Sequence, residues 1–259
     1  MFVKEYMIST IARNNLKKDK NVLGKKWLKT YNNYFSDKDN IQRFIEVIKP
    51  LLADKELDIL YVASASGLLG EELVKSLKRG RLTIVDISKK HLEENKNKKT
   101  KKVCFDLLKM DLDKKFDLII MRSSLDYFPS QKLQVSVLKN IKKHLKKDGI
   151  FINQPAYISN LDERHQMSDI YNKTRKIGNR HFQSSDLHVL YEKAGFSNFK
   201  KIGEGKALRL TEKEHVERYE IDERDIKKIQ NIIGEDCTSM KITKSGYKLN
   251  FRFPIFFAN

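Results

Sequence analysis

The chain has 259 residues, of which 40% are hydrophobic and 33% are charged, so it can fill a core and keep a heavily solvated surface. Four prolines and 11 glycines exclude a collagen, a proline-rich stalk and a low-complexity linker. The two cysteines, Cys104 and Cys237, exclude a disulfide scaffold and a CxxC metal site. No apolar run approaches the ~18 residues of a membrane span, and the amino terminus shows no secretory signal. We therefore expect a soluble, cytoplasmic protein that does not contact membranes.

The charge balance makes polyanions a candidate class of partner. Fifty-two lysines and arginines against 34 aspartates and glutamates give a net charge of +18, a field that attracts nucleic acids. Most of the cations are lysines, however, spread in pairs along the chain. Lysine lacks the planar fork with which arginine reads bases. A solvated, lysine-rich surface is the preferred interpretation, and RNA binding remains the alternative.

Residues 1–56 are predicted to form an N-terminal helical cap. Two good N-cap residues, Ser36 and Asp37, precede apolar side chains at helical spacing. Pro50 then marks the end of this helix.

From residue 57 the pattern changes to short apolar strands that alternate with helices. Strands are predicted at 57–63, 81–86, 102–106, 116–121, 150–153 and 197–202. Near-continuous apolar strands joined by helices indicate a parallel sheet that is covered on both faces. Residues 57–204 are therefore predicted to be the core of a doubly wound α/β domain.

Residues 205–259 are predicted to complete the same domain with a helix and a β-hairpin. The hairpin would join 238–243 to a strand at 247–257, in which apolar and polar residues alternate with period two. Pro254 cannot donate a ladder hydrogen bond, which implies a sheet edge or a bulge at that point. We therefore expect an antiparallel C-terminal edge.

Three features converge on the carboxyl ends of the predicted strands, where open α/β sheets bind ligands. The loop 63–67, Ala-Ser-Ala-Ser-Gly, has small side chains that let a ligand approach the backbone at a helix N-terminus. Asp86 ends the second strand and can accept both hydroxyls of a ribose, although it can also cap the next helix. Asp106 ends the third strand, where it can accept from an exocyclic amine. Asp111 and Asp113 are alternatives for that role.

The segments 58–70, 83–88, 116–120 and 145–152, followed by 182–187 and 193–196, resemble those of class I S-adenosylmethionine-dependent methyltransferases. The resemblance covers about residues 24 to 204, and the order and spacing of the segments carry it. It implies a mostly parallel, seven-stranded Rossmann-like methyltransferase fold, with S-adenosylmethionine as the cofactor.

The resemblance also implies roles for individual residues at the cofactor. Asp86 would bind the ribose hydroxyls, Ile87 would pack on the adenine, and Asp106 would contact the adenine amine beside Leu107. The loop 63–67 would pass under the methionine part, and the backbone near Arg122 would hold the amino group. The complete predicted set is Tyr61, Ala63, Ser64, Ala65, Gly67, Asp86, Ile87, Asp106, Leu107 and Arg122.

Three positions depart from the family pattern. The family usually has an acid where Tyr61 stands, and glycines where Ala63 and Ala65 stand. Each alanine adds a methyl group at a point of close approach, and the missing acid removes a partner for the cofactor's ammonium group. A non-catalytic, cofactor-binding relative is therefore an alternative to an enzyme.

Candidate residues for the acceptor pocket are Tyr31, Tyr127, Tyr157 and His181, each of which can instead be a packing residue. The segment after strand four lacks the Asn-Pro-Pro-Tyr type of motif found in enzymes that methylate the amino groups of bases. The sequence also has no Pro-Cys pair, which supplies the nucleophile of cytosine-C5 methyltransferases. We therefore predict methyl transfer to an O or N atom of a small-molecule acceptor. An RNA methyltransferase is the alternative. No metal-ligand spacing is found.

Overall fold

The computed structural model describes residues 32–175, 177–235 and 237–259, together with Thr10 and Asn14. Most of the predicted cap before residue 32, including Tyr31, lies outside these residues. The described part of the cap contains the expected helix, which begins after Asp37. The Asp37 side chain accepts a hydrogen bond from the backbone N–H of Asn40 and so satisfies a free donor of the first turn.

Helices cover both faces and one end of the sheet. In the described residues they are α1 (Asn32–Phe35), α2 (Lys38–Ile48), α3 (Leu68–Ser76), α4 (Lys89–Glu94), α5 (Gln131–Lys143), α6 (Leu161–Lys173), α7 (Leu187–Lys193), α8 (Glu212–Tyr219) and α9 (Glu223–Ile232). Short 3-10 turns lie at Lys49–Leu51, Leu107–Lys109 and Leu125–Tyr127. None of the helices within the described ranges is long and apolar enough to cross a membrane.

Ten strands are found in the same residues. They are β1 (Leu57–Val62), β2 (Gly80–Asp86), β3 (Lys101–Cys104), β4 (Phe116–Arg122), β5 (Leu145–Gln154), β6 (Phe199–Glu204), β7 (Leu208–Thr211), β8 (Met240–Thr243), β9 (Gly246–Phe251) and β10 (Pro254–Ala258). Seven of them form the main sheet in the order β3-β2-β1-β4-β5-β10-β6, and β7, β9 and β8 form a separate small sheet.

The central strands explain why the sequence reads as near-continuous apolar runs. Every residue of β1 and β4 is buried, because helices cover both faces of the sheet. β1 pairs in parallel with both β2 and β4, so the order of strands reverses beside β1. In such sheets the crevice at the carboxyl ends of these strands is the usual ligand site. The predicted doubly wound, mostly parallel, seven-stranded fold is confirmed.

The antiparallel C-terminal end is confirmed as well, but its position differs from the prediction. The single strand expected at 247–257 is divided into β9 and β10. β9 pairs with β7 and β8 in the small sheet, whereas β10 lies between β5 and β6 and is antiparallel to both. The division falls just before Pro254, which cannot donate a ladder hydrogen bond, and the register shifts between Ile255 and Phe256. β6, rather than the C-terminal strand, is the edge.

A second core lies beside the main sheet and is built largely from segments that follow β5. It joins α6, α8 and α9 to the small sheet, and its buried members include Tyr171, Phe182 and Phe251. Tyr34, Phe35 and Tyr127 pack against it from the carboxyl edge of the main sheet. This core therefore covers the side of the sheet on which the predicted acceptor residues lie.

Candidate cofactor site

The loop after β1 is sharply bent at three of its five small residues. Ala63 has a φ of 47°, Ala65 of 50° and Gly67 of 77°, all in the left-handed region. The N–H of Gly67 donates to the carbonyl of Ser64 at 2.9 Å, and the N–H and hydroxyl of Ser64 donate to the carbonyl of Val85 at 3.1 and 3.3 Å. The bends turn the backbone of residues 63–67 across the carboxyl end of β1, just before α3 begins.

Gly67 is the one position of this loop at which a side chain would not fit. A Cβ built on Gly67 would lie 2.8 Å from Cγ2 of Ile84 and 3.1 Å from its Cδ1. The glycine therefore lets α3 pack closely against β2. Glycine also adopts the left-handed φ at this position without steric strain.

Asp86 joins the loop to the end of β2. Its Oδ2 accepts the N–H of Ala65 at 2.8 Å and its Oδ1 accepts the N–H of Ser88 at 2.8 Å. Ser88, and not Asp86, caps α4 by accepting the N–H of His91. The capping role that the sequence left open for Asp86 is therefore filled by its neighbour.

The hydrogen bonds of Asp86 leave capacity for a ligand. An ionised carboxylate offers about four lone-pair sites, of which the two backbone donors take two. The side chain thus keeps acceptor sites at the carboxyl end of β2 that neither backbone donor uses. Ile87 follows it and is partly exposed, as a residue that packs on an adenine ring must be.

Asp106 lies beside Asp86 at the next strand end. The N–H of Phe105 donates to the carbonyl of Asp86 at 3.0 Å, and the carboxylate of Asp106 accepts the N–H of Leu108 at 3.0 Å. Leu107 is buried next to it. Of the alternatives, Asp111 forms an exposed ion pair with Lys143 and Asp113 is exposed. The structure brings Asp106, rather than either of these, next to Asp86.

Tyr61 and Arg122 occupy the same face of the sheet as α2 and α3. The ring of Tyr61 packs beside Gly70, where an added Cβ would lie 3.3 Å from its Cδ1, and burial raises the pKa of Tyr61 to about 12. Tyr61 therefore belongs to the core, with its hydroxyl un-ionised. The backbone turns sharply after Arg122, since Ser123 has a φ of 48° and donates to the carbonyl of Gln154 at 2.7 Å.

Sequence reasoning missed the side-chain contacts of Arg122. Its Nε donates to Oε1 of Gln154 at 2.7 Å and its Nη1 donates to the carbonyl of Phe35 at 3.1 Å. The guanidinium carbon lies 5.1 Å from the centre of the Phe35 ring. The available signal was a charged residue that directly follows the apolar run 116–121.

Two of the acceptor candidates meet at the end of β4. The guanidinium carbon of Arg180 lies 3.6 Å from the centre of the Tyr127 ring, and burial raises the pKa of Tyr127. The N–H of His181 donates to the carbonyl of Asp126 at 2.9 Å, which fixes the histidine next to Tyr127. Arg180 is 1% exposed and was missed, although it directly precedes His181 in the sequence.

The ring of His181 is half-buried, and its Nε2 has no hydrogen-bond partner in the part of the chain that the structure describes. Burial, and then the nearby Arg164, lower the pKa of His181, so the ring is neutral at pH 7. Tyr157, the third candidate, is also half-buried, and its backbone is bridged to Gln183 and Arg252. No group of three or more metal-ligating side chains is found among the described residues.

Replacing Ala63 and Ala65 by glycine tests the strain in the loop. A left-handed φ costs an alanine about 1–2 kcal/mol, whereas glycine adopts it freely at some cost in chain entropy. We expect each of Ala63→Gly and Ala65→Gly to raise the free energy of unfolding by about 0.5–1 kcal/mol in urea denaturation. Ala53→Gly is the control, because Ala53 is exposed and its φ is negative. Equal destabilisation by all three variants would contradict the strain.

Comparison with known proteins identifies the fold. A family model described as a methyltransferase domain matches residues 60–151, which run from β1 into β5. A malonyl-[acyl-carrier protein] O-methyltransferase of Priestia megaterium is 27% identical over 126 residues, which are 47% of this chain and 45% of that protein. The chain thus spans less than half the length of this curated relative.

Solved structures share the architecture at low identity. The YcgJ protein of Bacillus subtilis has a TM-score of 0.66 at 12% identity over 85% of this chain and 97% of its own. A putative methyltransferase of Bacillus halodurans C-125 has a TM-score of 0.64 at 14% identity, over 84% of this chain and 97% of its own. The N-methyltransferase NodS of Bradyrhizobium japonicum, solved with S-adenosyl-L-homocysteine, has a TM-score of 0.51 at 13% identity, over 93% of this chain and 97% of its own.

The match to a methyltransferase domain includes the strands that carry the bent loop, Asp86 and Asp106, and the solved structures share the overall fold. Residues 60–151 of this chain are therefore similar to a methyltransferase domain, in agreement with the resemblance of the sequence to class I S-adenosylmethionine-dependent methyltransferases.

Proposed function

We propose that this protein is a cytoplasmic enzyme that transfers a methyl group from S-adenosylmethionine to an O or N atom of a small-molecule acceptor. The observation that carries the proposal is the 2.8 Å hydrogen bond between Asp86 and the N–H of Ala65, which joins the bent loop to the acid where the strand order reverses. Relatives named as an O-methyltransferase and an N-methyltransferase support the two acceptor atoms. Cys104 and Cys237 are not joined in a disulfide, which agrees with a reducing compartment.

The residues at the carboxyl ends of β1, β2 and β3 fit the cofactor. When bound, S-adenosylmethionine supplies an electrophilic methyl group on a sulfonium sulfur. Asp86 would hold the ribose hydroxyls with its remaining lone pairs, and Ile87 and Leu107 would pack on the adenine. Asp106 would accept from the adenine amine, and the backbone of residues 63–67 would contact the methionine part without interference from large side chains.

The acceptor would lie between the carboxyl edge of the main sheet and the second core. Tyr127, Tyr157 and His181 reach this region, and each is partly buried, as is usual for side chains that line an organic ligand. The ring of Tyr127 is held in place by the guanidinium of Arg180 above it. A fixed aromatic wall orients an acceptor and keeps its nucleophilic atom in line with the methyl group, which is the main requirement of a displacement reaction.

His181 would remove the proton that an O–H or N–H acceptor loses when it is methylated. Its neutral ring has a free Nε2 with respect to the described residues, and its backbone is fixed to Asp126. The proton would pass from the acceptor to Nε2, and the acceptor's lone pair would replace sulfur on the methyl carbon, so that the carbon–sulfur bond breaks with its electron pair on sulfur and S-adenosylhomocysteine leaves. A positioned base of this kind contributes about 10²–10⁴-fold to rate.

The proposal is tested by cofactor binding and by methyl transfer. Wild-type protein is titrated with S-adenosylhomocysteine in a calorimeter, and tritiated S-adenosylmethionine is offered with panels of small alcohols and amines and, separately, with total RNA. Micromolar binding together with label in a small acceptor is the expected result. If label appears only in RNA, RNA replaces small molecules as the acceptor class. Binding of S-adenosylhomocysteine without any methyl transfer would indicate a non-catalytic relative. No binding at millimolar ligand would overturn the proposal.

Replacing His181 by glutamine is expected to lower kcat by about a hundredfold and to leave the affinity for S-adenosylhomocysteine unchanged, because only the proton acceptor is removed. Wild-type kcat should fall at acidic pH, and only below the ordinary pKa range of a histidine, because burial and then Arg164 lower the pKa of His181. His188→Gln is the matched control, because His188 is an exposed histidine of α7. An unchanged kcat in His181→Gln would exclude His181 as the base.

A further inference from the structure

Arg122 is a buried cation that the described protein satisfies only in part. The residue is 5% exposed, and its Nε and Nη1 donate to two neutral oxygens, those of the Gln154 amide and the Phe35 carbonyl. Its Nη2 is buried and, within the described ranges, has no hydrogen-bond partner. A buried charge with an unmet donor is costly, so such groups normally face a counter-ion or a ligand.

No carboxylate of the described residues forms an ion pair with this guanidinium. Asp37 is the one carboxylate whose field acts on it, but Asp37 accepts the N–H of Asn40 at 2.8 Å and lies 3.1 Å from Nζ of Lys206. Tyr61 and Tyr34 also lie close enough to act on Arg122, and burial raises the pKa of both to about 12, so neither carries a negative charge at pH 7. The site therefore has a net positive charge.

The surroundings of Arg122 define the kind of group that it can bind. Its position at the carboxyl end of β4 puts it between the loop at the end of β1 and the end of β5, on the face covered by α1 and α2. The Phe35 ring lies against the guanidinium, its centre is 6.0 Å from that of Phe253, and the Phe253 ring lies 5.1 Å from that of Tyr34, so aromatic rings line one side of the site. An unmet guanidinium donor beside aromatic rings favours an anionic oxygen acceptor such as a carboxylate.

We propose that the guanidinium of Arg122 binds a carboxylate of a ligand at the carboxyl ends of β1 and β4, supplied by the amino-acid part of the cofactor or by the acceptor. The inference rests on the proposed function for the identity of these two ligands. The carboxylate would accept from Nη2 and so provide the counter-ion that the described residues lack. A bond of this type is charge-assisted and is stronger than one to a neutral acceptor.

Calorimetry on Arg122→Met, Arg122→Lys and wild type distinguishes the two sources. S-adenosylhomocysteine and methylthioadenosine share the adenosine thioether, but only the first has an amino-acid carboxylate. If the cofactor supplies the carboxylate, Arg122→Met will bind S-adenosylhomocysteine about 10- to 100-fold more weakly and methylthioadenosine unchanged. Arg122→Lys, which keeps the charge but not the fork, will give an intermediate loss. If Arg122→Met fails to fold, the affinities of Arg122→Lys for the two ligands provide the test.

The second arm titrates small monocarboxylic acids, and their primary amides, into protein with and without S-adenosylhomocysteine. If the acceptor supplies the carboxylate, wild type will prefer an acid to its amide, and Arg122→Met will lose this preference. Arg209→Met is the control for net charge, because Arg209 is exposed on β7. No selective loss in either arm would overturn the proposal. Failure of wild type to bind S-adenosylhomocysteine would instead overturn the proposed function, while the acid–amide comparison would still test Arg122.

Discussion

Asp86→Ala is expected to weaken the binding of S-adenosylhomocysteine by about a hundredfold or more. The carboxylate has two tasks that alanine cannot perform. It would accept hydrogen bonds from the ribose hydroxyls, each worth about 1.5–3 kcal/mol to a charged acceptor. It also holds the N–H of Ala65 at 2.8 Å, and thereby the bent loop across the end of β1. Calorimetric titration of the folded variant measures the loss.

Two further variants separate the charge from the shape of Asp86. Asp86→Asn keeps an acceptor oxygen for the N–H of Ala65, so we expect a smaller loss of affinity than in Asp86→Ala. Asp111→Ala removes an exposed acid that is paired with Lys143, and it should bind S-adenosylhomocysteine as wild type does. An affinity of Asp86→Ala within threefold of wild type, with the protein folded, would rule out Asp86 as the ribose acceptor.

The largest expected effect on stability lies at the opposite, amino-terminal end of the strands. Asp58 in β1 accepts from Arg81 at 2.8 Å, from Lys114 at 2.6 Å and from Lys146 at 3.1 Å. Asp117 in β4 accepts the N–H of Asp58 at 2.9 Å and pairs with Lys146 at 2.7 Å. Both carboxylates are buried, whereas their cationic partners are about half exposed. This acidic pair therefore ties β1, β4 and the start of β5 together.

Asp58→Asn is expected to lower the free energy of unfolding by about 2 kcal/mol at pH 7. Removal of one partner of a fully buried ion pair costs about 3–5 kcal/mol, and the exposure of the lysines and of Arg81 to solvent reduces that figure. Urea denaturation of the variant and of wild type measures the difference. Asp111→Asn, which breaks one exposed ion pair, is the control and should leave the midpoint unchanged.

The effect of Asp58→Asn should depend on pH with a definite sign. Hydrogen bonds from Arg81, Lys114 and Lys146 outweigh burial and hold the pKa of Asp58 below its usual range, and Lys146 and the N–H of Asp58 do the same for Asp117. The unfolded chain therefore binds more protons than the folded one below about pH 4–5. Stability from these groups is present above that pH and is lost as the pH falls. The wild-type advantage over Asp58→Asn should shrink between pH 7 and pH 3, and an advantage that grows would contradict this account.

Local patterns in the sequence were sufficient for the parallel part of the fold and for the place of the acids in the proposed cofactor site. Helices that cover both faces of a parallel sheet force its strands to be apolar throughout, so β1 and β4 stand out without any knowledge of their neighbours. Parallel strands also end at one edge, which brings Asp86 and Asp106 together once each is known to end a strand. The small residues of the loop 63–67 marked the turn before their left-handed φ angles were known.

Long-range contacts decided the rest. The alternation of apolar and polar residues predicts a strand at 247–257 but does not indicate which strands pair with it. In the tertiary structure this segment is divided between two sheets near Pro254. The guanidinium of Arg122 reaches a carbonyl 87 residues earlier, and Arg180 covers the ring of Tyr127. Such contacts depend on where distant segments meet, and periodicity or spacing along one segment holds no information about that. The sequence by itself determined the core of the sheet and the acids at its carboxyl edge. Only the tertiary structure decided the place of the last strand, the second core beside that edge and the burial of the Arg122 charge.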